Sequence, residues 1–158
     1  GALLVKRGAG SENGWFLSVR GETSCSWCSS ERTSWYQLSG GGNPSAYSSS
    51  VFALNTWHQL AVTYTAASGE LSVYVDGSPD STYSSFPTPS ASAASNLFIG
   101  ADSGGQPYFF DGSIDDIYLY DRALSPAEVS TLYSVVPEPS TALLLGLGLV
   151  GMAARRRV

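Results

Sequence analysis

Two runs of alternating residues constrain this chain more than any other feature: Trp57 to Thr65, and Leu71 to Val75. In the first, Leu60, Val62 and Tyr64 fall on one face, with Gln59, Ala61, Thr63 and Thr65 on the other. A strand turns successive side chains to opposite sides, so each run reads as a strand with one face towards a core. Ser68-Gly69 lies between the runs, and Asp76-Gly77 closes the second. Alternating runs joined by a short glycine-containing turn predict an antiparallel hairpin.

The same signals recur through the body. Trp15, Leu17 and Val19 alternate with Phe16, Ser18 and Arg20 after a turn at 10–14. Trp35 to Leu38 is a short strand ahead of the Gly40–Pro44 break, and Val51 to Leu54 is a candidate for another. Ser78 to Ser95 reads as a Ser/Pro/Ala loop leading to the strand Leu97 to Gly100. Phe109 to Gly112 then leads into a last strand, Ile114 to Tyr120. One helix is signalled, with Ser125 as N-cap, Pro126 in the first helical position and Glu128 completing a capping box. It should run to about Tyr133, turning Val129, Leu132 and Tyr133 to the sheets. Short antiparallel strands with one terminal helix predict an all-β sandwich.

Charged residues make up 13% of the 158-residue chain, against a usual share of about 25%. Aromatics are 12%, enough to fill a core. The formal charge is −5; without Glu138 and Arg155 to Arg157 it falls to −7. Such an acidic surface argues against nucleic acid, whose binding depends on cations that neutralise phosphates.

The C-terminus is of another kind. Thr141 to Ala154 carries no charge, and Arg155, Arg156 and Arg157 follow it. A membrane span takes about 20 helical residues, whereas fourteen reach only about 21 Å at 1.5 Å each. Pro139 blocks a longer helix. A transient spanning helix over 141–154 is expected, with the arginines cytoplasmic. Gly146, Gly148 and Gly151 spell a dinucleotide fingerprint, but that motif needs a strand before it and a βαβ unit around it, so they read as small residues of a membrane helix.

The order Pro137-Glu138-Pro139, apolar helix, arginine cluster resembles the bacterial PEP-CTERM sorting signal. The resemblance implies an exosortase-type processing protease that removes the helix. It also implies a Gram-negative source and delivery through the inner membrane to the cell surface or extracellular matrix. On this reading residues 1–134 form the domain and 135–158 the signal. An ordinary tail anchor is the other reading of the same run.

The body carries a second resemblance. Trp57-His58-Gln59-Leu60-Ala61-Val62-Thr63-Tyr64, Gly69 to Gly77, Leu97 to Gly100 and Phe110 to Ser125 together resemble the LamG-like, concanavalin A-like jelly roll. That family usually has strands before the position matching Leu4, and no signal peptide precedes Lys6-Arg7. An N-terminally truncated jelly roll with an exposed sheet edge is therefore expected. The resemblance also implies a structural calcium (Ca2+) near Asp115, with Asp111 and backbone carbonyls as further ligands; calcium takes six to eight oxygens. Against this, Asp115 or Asp116 reads equally as a buried hydrogen-bond acceptor.

Other polar residues give weaker signals. Cys25 and Cys28 lack the four ligands of a zinc site, because His58 is the sole histidine. In an oxidising exported setting they read as a loop disulfide, or as two free thiols. His58 reads as structural, and Asp121-Arg122 as a local ion pair. Trp27, Trp35, Tyr36, Tyr47, Tyr83 and Tyr108 lie in or beside loops, where rings either stack on sugars or pack on their own loops. The expected function is a noncatalytic binding or adhesion module for carbohydrate (a polysaccharide) or a matrix protein. The alternative is a glycoside hydrolase-like enzyme. Retaining hydrolysis needs two carboxylates about 5 Å apart, and no strand here carries acids at i, i+2 or i+4; Asp115 and Asp116 are adjacent. No catalytic residue is expected.

Overall fold

The leading hairpin forms as its alternation predicts. In the computed structural model, which describes residues 1–7, 14–19, 34–39, 45–51, 53, 55–88, 96–101 and 109–135, strand β5 (Leu60–Thr65) pairs antiparallel with β6 (Glu70–Val75). Leu60 stands opposite Val75 and Thr65 opposite Glu70. Gly69 has φ 65°, and its N–H donates to the Thr65 carbonyl at 2.9 Å, which closes the turn. The glycine is needed there because positive φ strains most other residues.

The chain then turns at once into a further strand, β7 (Ser78–Tyr83), so the first part of the expected Ser78–Ser95 loop belongs to a ladder. Asp76 and Gly77 have φ 50° and 74°, the double positive φ of a type I′ turn. This turn matches the right-handed twist of the flanking strands. β5, β6 and β7 make one sheet. The other has the order β4-β3-β2-β1-β8, from β1 (Ala2–Arg7), β2 (Gly14–Val19), β3 (Ser34–Ser39), β4 (Ser45–Tyr47) and β8 (Leu97–Ile99).

Ala2 to Arg7, not read as a strand in the sequence, is a strand paired on both sides, by β2 and β8. Two further expectations are corrected. Val51 and Ala53 lie outside any strand, and the short partner of β3 is instead Ser45–Tyr47. Ile114 to Tyr120 enters no ladder among the described residues. Alternation reports a side-chain preference, whereas a strand also needs a neighbour for its N–H and C=O groups.

The core lies between the two sheets. Leu17 and Ala46 from one meet Leu71, Val73 and Phe86 from the other side, and Leu3, Leu4, Trp15, Val62, Tyr64 and Tyr83 pack around them. β6 is the most enclosed strand: Leu71, Ser72, Val73 and Tyr74 are all buried, so both of its faces are covered. The helix α1 (Pro126–Val135) starts where its capping signal predicts and buries Val129 fully. Near its end Tyr133 packs on Gly77: a Cβ added at Gly77 would sit 2.8 Å from the Tyr133 Cβ.

Two substitutions test this packing by denaturant unfolding. Leu71→Ala removes a side chain with no exposed surface and is expected to cost about 2–5 kcal/mol. Gly77→Ala meets both an unfavourable φ and the Tyr133 side chain, for an expected loss of about 1–3 kcal/mol.

Candidate functional site

Where the edge strands β4 and β7 come together, side chains replace a ladder. The Tyr47 N–H donates to the Tyr83 hydroxyl and the Tyr83 hydroxyl donates to the Tyr47 carbonyl, each at 3.0 Å. One phenol thus satisfies both main-chain groups of a strand residue. Tyr83 is braced from behind by Phe86, edge to face at 6.2 Å between ring centroids. The chain leaving β4 is gripped by Asp80 of β7. Asp80 Oδ1 accepts from Ser50 N–H at 2.9 Å, and Oδ2 accepts from Ser49 N–H and from the Ser81 hydroxyl. Ser49 and Ser81 hydroxyls lie 3.0 Å apart. Burial pushes the Asp80 pKa up, but the hydrogen bonds from Ser50, Ser49 and Ser81 outweigh it and hold the carboxyl below its usual range.

The seam is polar and open to solvent along one side. Tyr47 keeps 41% of its surface exposed, and Ser49 and Ser50 are exposed beside it. Sequence reasoning identified Tyr47 and Tyr83 but treated them alike. The structure separates them: Tyr83 braces the Tyr47 backbone, and Tyr47 is the more exposed of the two. Asp80 went unnoticed because it sat in a stretch read as loop. The signal that reveals it is Asp76-Gly77, a two-residue hairpin turn that requires another strand after it.

The remaining polar residues hold the frame. His58 Nδ1 lies 2.8 Å from Asp76 Oδ2, and Asp76 Oδ1 accepts from Gln59 N–H at 2.9 Å. Asp76 N–H donates back to the Gln59 carbonyl at 2.9 Å. These bonds pin the approach to β5 onto the β6–β7 turn. His58 thus has a partner in Asp76 that the sequence did not indicate. Arg122 hydrogen-bonds Glu128, donating to Oε2 at 3.0 Å and to Oε1 through its second nitrogen, while the adjacent Asp121 acts on it through charge alone. Ser125 completes the helix cap by donating to Glu128 and accepting from its N–H at 3.3 Å.

The calcium ligands implied by the resemblance do not gather into a set here. Asp111 and Asp115 are both exposed, and Asp115 Oδ1 accepts from Asp116 N–H at 2.9 Å. No group of three or more His, Cys, Asp or Glu among the described residues could hold a metal ion. Asp115 and Asp116 are also not the buried acceptors of the other reading, because both are exposed. Trp35 and Tyr36 lie on β3. Cys25, Cys28, Trp27, Tyr108 and the whole of 136–158, with Pro137, Glu138, Pro139, the apolar run and the arginines, lie outside the described residues. Among the described residues no helix is long and apolar enough to cross a membrane.

Known proteins resemble both parts of the chain. The family profile described as the concanavalin A-like lectin/glucanases superfamily matches residues 1–130. The PEP-CTERM protein-sorting motif matches residues 135–157. The sushi, von Willebrand factor type A, EGF and pentraxin domain-containing protein 1 of Rattus norvegicus is 33% identical over 89 residues. That match covers 52% of this chain and 2% of the relative, so the chain spans only a small fraction of it. The crystal structure of the native heptameric SAP-like pentraxin from Limulus polyphemus superposes with a TM-score of 0.66. It covers 84% of this chain and 62% of its own, at 20% identity, a likeness of fold.

The helix cap yields a pH prediction. Arg122, and then Ser125, hold the Glu128 carboxyl down at about 2, from an ordinary value of 4.5. A carboxylate depressed in the folded state contributes fully above its unfolded value and loses that contribution as pH falls towards its folded one. Stability measured between about pH 4.5 and pH 2 should therefore fall less steeply in Glu128→Gln than in the parent. Identical slopes would show that the cap does not hold in solution.

Proposed function

Because the chain belongs to the concanavalin A-like lectin/glucanases superfamily, we propose that it is a noncatalytic binding module presented on the outside of a bacterial cell. One observation carries this reading: a lectin-type domain that ends at residue 130 is followed at once by a sorting motif from 135. The motif implies export and membrane-associated sorting. On this proposal residues 1–134 are the module and 135–158 the signal. Arg155 to Arg157 stay cytoplasmic while 141–154 transiently spans the inner membrane. An exosortase-type protease then cuts near Pro137-Glu138-Pro139 and frees the module to the surface or matrix of a Gram-negative cell.

The ligand we assign is a polysaccharide, seated on the Tyr47 ring with the Ser49 and Ser50 rim beside it; a matrix protein is the other candidate. The disposition of the acids supports binding over hydrolysis. Asp76, Asp80 and Glu128 are each engaged in bonds that hold turns, strands or the helix, and Asp115 and Asp116 are neighbours in sequence. Laminin G and pentraxin domains often bind calcium, so calcium enters as a proposal. Any such site would have to bring Asp111 or Asp115 together with ligands beyond the described residues.

Retention on a polysaccharide panel, with and without calcium, tests the reading on the exported module. Tyr47→Ala should weaken retention at least about fivefold while leaving the fold intact, taking the about 1–3 kcal/mol of base–aromatic stacking as the scale for a sugar on one ring. Retention that needs calcium would move the site to the Asp111–Asp115 region. Retention on no sugar would reject the carbohydrate ligand in favour of a protein. In a separate measurement, mass spectrometry of exported material should find no peptide containing Arg155 to Val158; its recovery would make the tail a lasting anchor.

A further inference from the structure

Exposed serines are ordinary, and exposure is not what distinguishes Ser49 and Ser50. The direction of their hydrogens is. A serine hydroxyl has one hydrogen to donate and two lone pairs that accept, whereas an ionised carboxylate only accepts. Ser81 therefore spends its hydrogen on Asp80 Oδ2, at 2.8 Å. The Ser49 and Ser81 hydroxyls lie 3.0 Å apart, and with the Ser81 hydrogen already committed it is Ser49 that donates across that gap. The Ser50 hydroxyl hydrogen-bonds Asp80 as well, and must be the donor there too. Behind them the Ser48 hydroxyl donates to the Ser50 carbonyl at 3.1 Å. The main-chain N–H groups of Ser49 and Ser50 go to the same Asp80 carboxylate.

One half-buried carboxylate thus draws the rim's hydrogens inward, that of Ser49 by way of Ser81. The same bonds hold Asp80 below the usual carboxylate range, so it is ionised at neutral pH and the pattern is set there. What Ser49 and Ser50 turn outward is oxygen lone pairs. A sugar hydroxyl donates into such a rim. A carboxylate or a sulfate has only lone pairs to offer, and it also approaches a like charge.

We propose that the seam selects an uncharged, hydroxyl-rich polysaccharide and rejects chains bearing carboxylate or sulfate groups, because Asp80 turns the hydrogens of Ser49 and Ser50 inward. The inference rests on the carbohydrate reading above and names the class of sugar within it. Asp80 is a positioning residue on this view: it acts through the serines and need not touch the ligand.

Retention of the intact chain on immobilised dextran, xylan, pullulan and galactan, each beside its carboxymethyl form, tests this. In about 1 M salt the Debye length falls to about 3 Å, so the overall negative charge of the chain does not decide the outcome. The parent should be held at least about tenfold more weakly by the carboxymethyl form of a sugar than by the plain form. In Asp80→Asn the amide nitrogen donates, serine hydrogens turn outward, and that preference should shrink to about threefold or less. Ser49→Ala combined with Ser50→Ala keeps both main-chain bonds to Asp80 but removes the rim oxygens, and should weaken retention on the plain sugar about fivefold. Equal or stronger retention of the parent on the carboxymethyl form would overturn the selection while leaving the carbohydrate reading in place. A preference unchanged in Asp80→Asn would overturn the role of Asp80. Retention on no member of the set would remove the carbohydrate reading and this inference with it. Should Asp80→Asn fail to fold, the parent comparison and the serine variant still decide.

Discussion

The enclosure of β6 is the constraint on which the rest depends. Leu71 and Val73 form the floor of the core between the sheets, while Ser72 and Tyr74 are buried on the reverse face. A strand covered on both sides must have its neighbours placed on both edges and its turns closed at both ends. β5 and β7 supply the edges, with Ser72 and Thr82 hydroxyls 3.2 Å apart across one ladder. Gly69 and the Asp76-Gly77 pair supply the turns, and each is fastened again from outside. The Phe86 N–H donates to the Gly69 carbonyl at 2.7 Å, and His58 reaches Asp76. Polar side chains that a sequence reader would test for chemistry are engaged in holding this one strand in place.

That engagement explains what was legible and what was not. The β5–β6 hairpin and the start of α1 are local: their partners lie within a few residues, and alternation or capping encodes them directly. The all-β sandwich follows from many such local units. The seam was not legible. Tyr83 and Tyr47 are 36 residues apart, and no pattern announces that a phenol will take the place of a strand neighbour. β7 was hidden for another reason: Ser78-Pro79-Asp80-Ser81-Thr82 has no apolar alternation, so only the turn before it gives it away. Ile114 to Tyr120 failed in the opposite sense. It has the alternation, but pairing is a property of two segments and sequence describes one.

The fold also changes how the charge deficit reads. With 13% charged residues and a negative balance, the chain looks like a surface built to stay away from nucleic acid and anionic lipid. Once folded, Asp76, Asp80 and Glu128 turn out to be local fasteners, paired with a histidine, with serines and backbone, and with an arginine. Among the described residues, Asp111, Asp115, Asp116 and Asp121 in the 109–121 stretch, together with Glu70, are the acids that the solvent meets.

Helix α1 closes at Val135, and Pro137 opens the sorting motif only two residues later. Two extended residues reach about 7 Å at most. On the proposed processing, a protease that engages Pro137-Glu138-Pro139 would start within about two residues of the end of α1. Slack has one local source. The last turn of α1 carries no basic side chain to complement its carbonyl end, and Val135 is 68% exposed there. Unwinding that turn back towards Tyr133 would lengthen the leash by a few residues without disturbing Val129 or the cap. Under that proposal the helix terminus would serve as a spacer of adjustable length, with the contact of Tyr133 with Gly77 marking where its unwinding would stop.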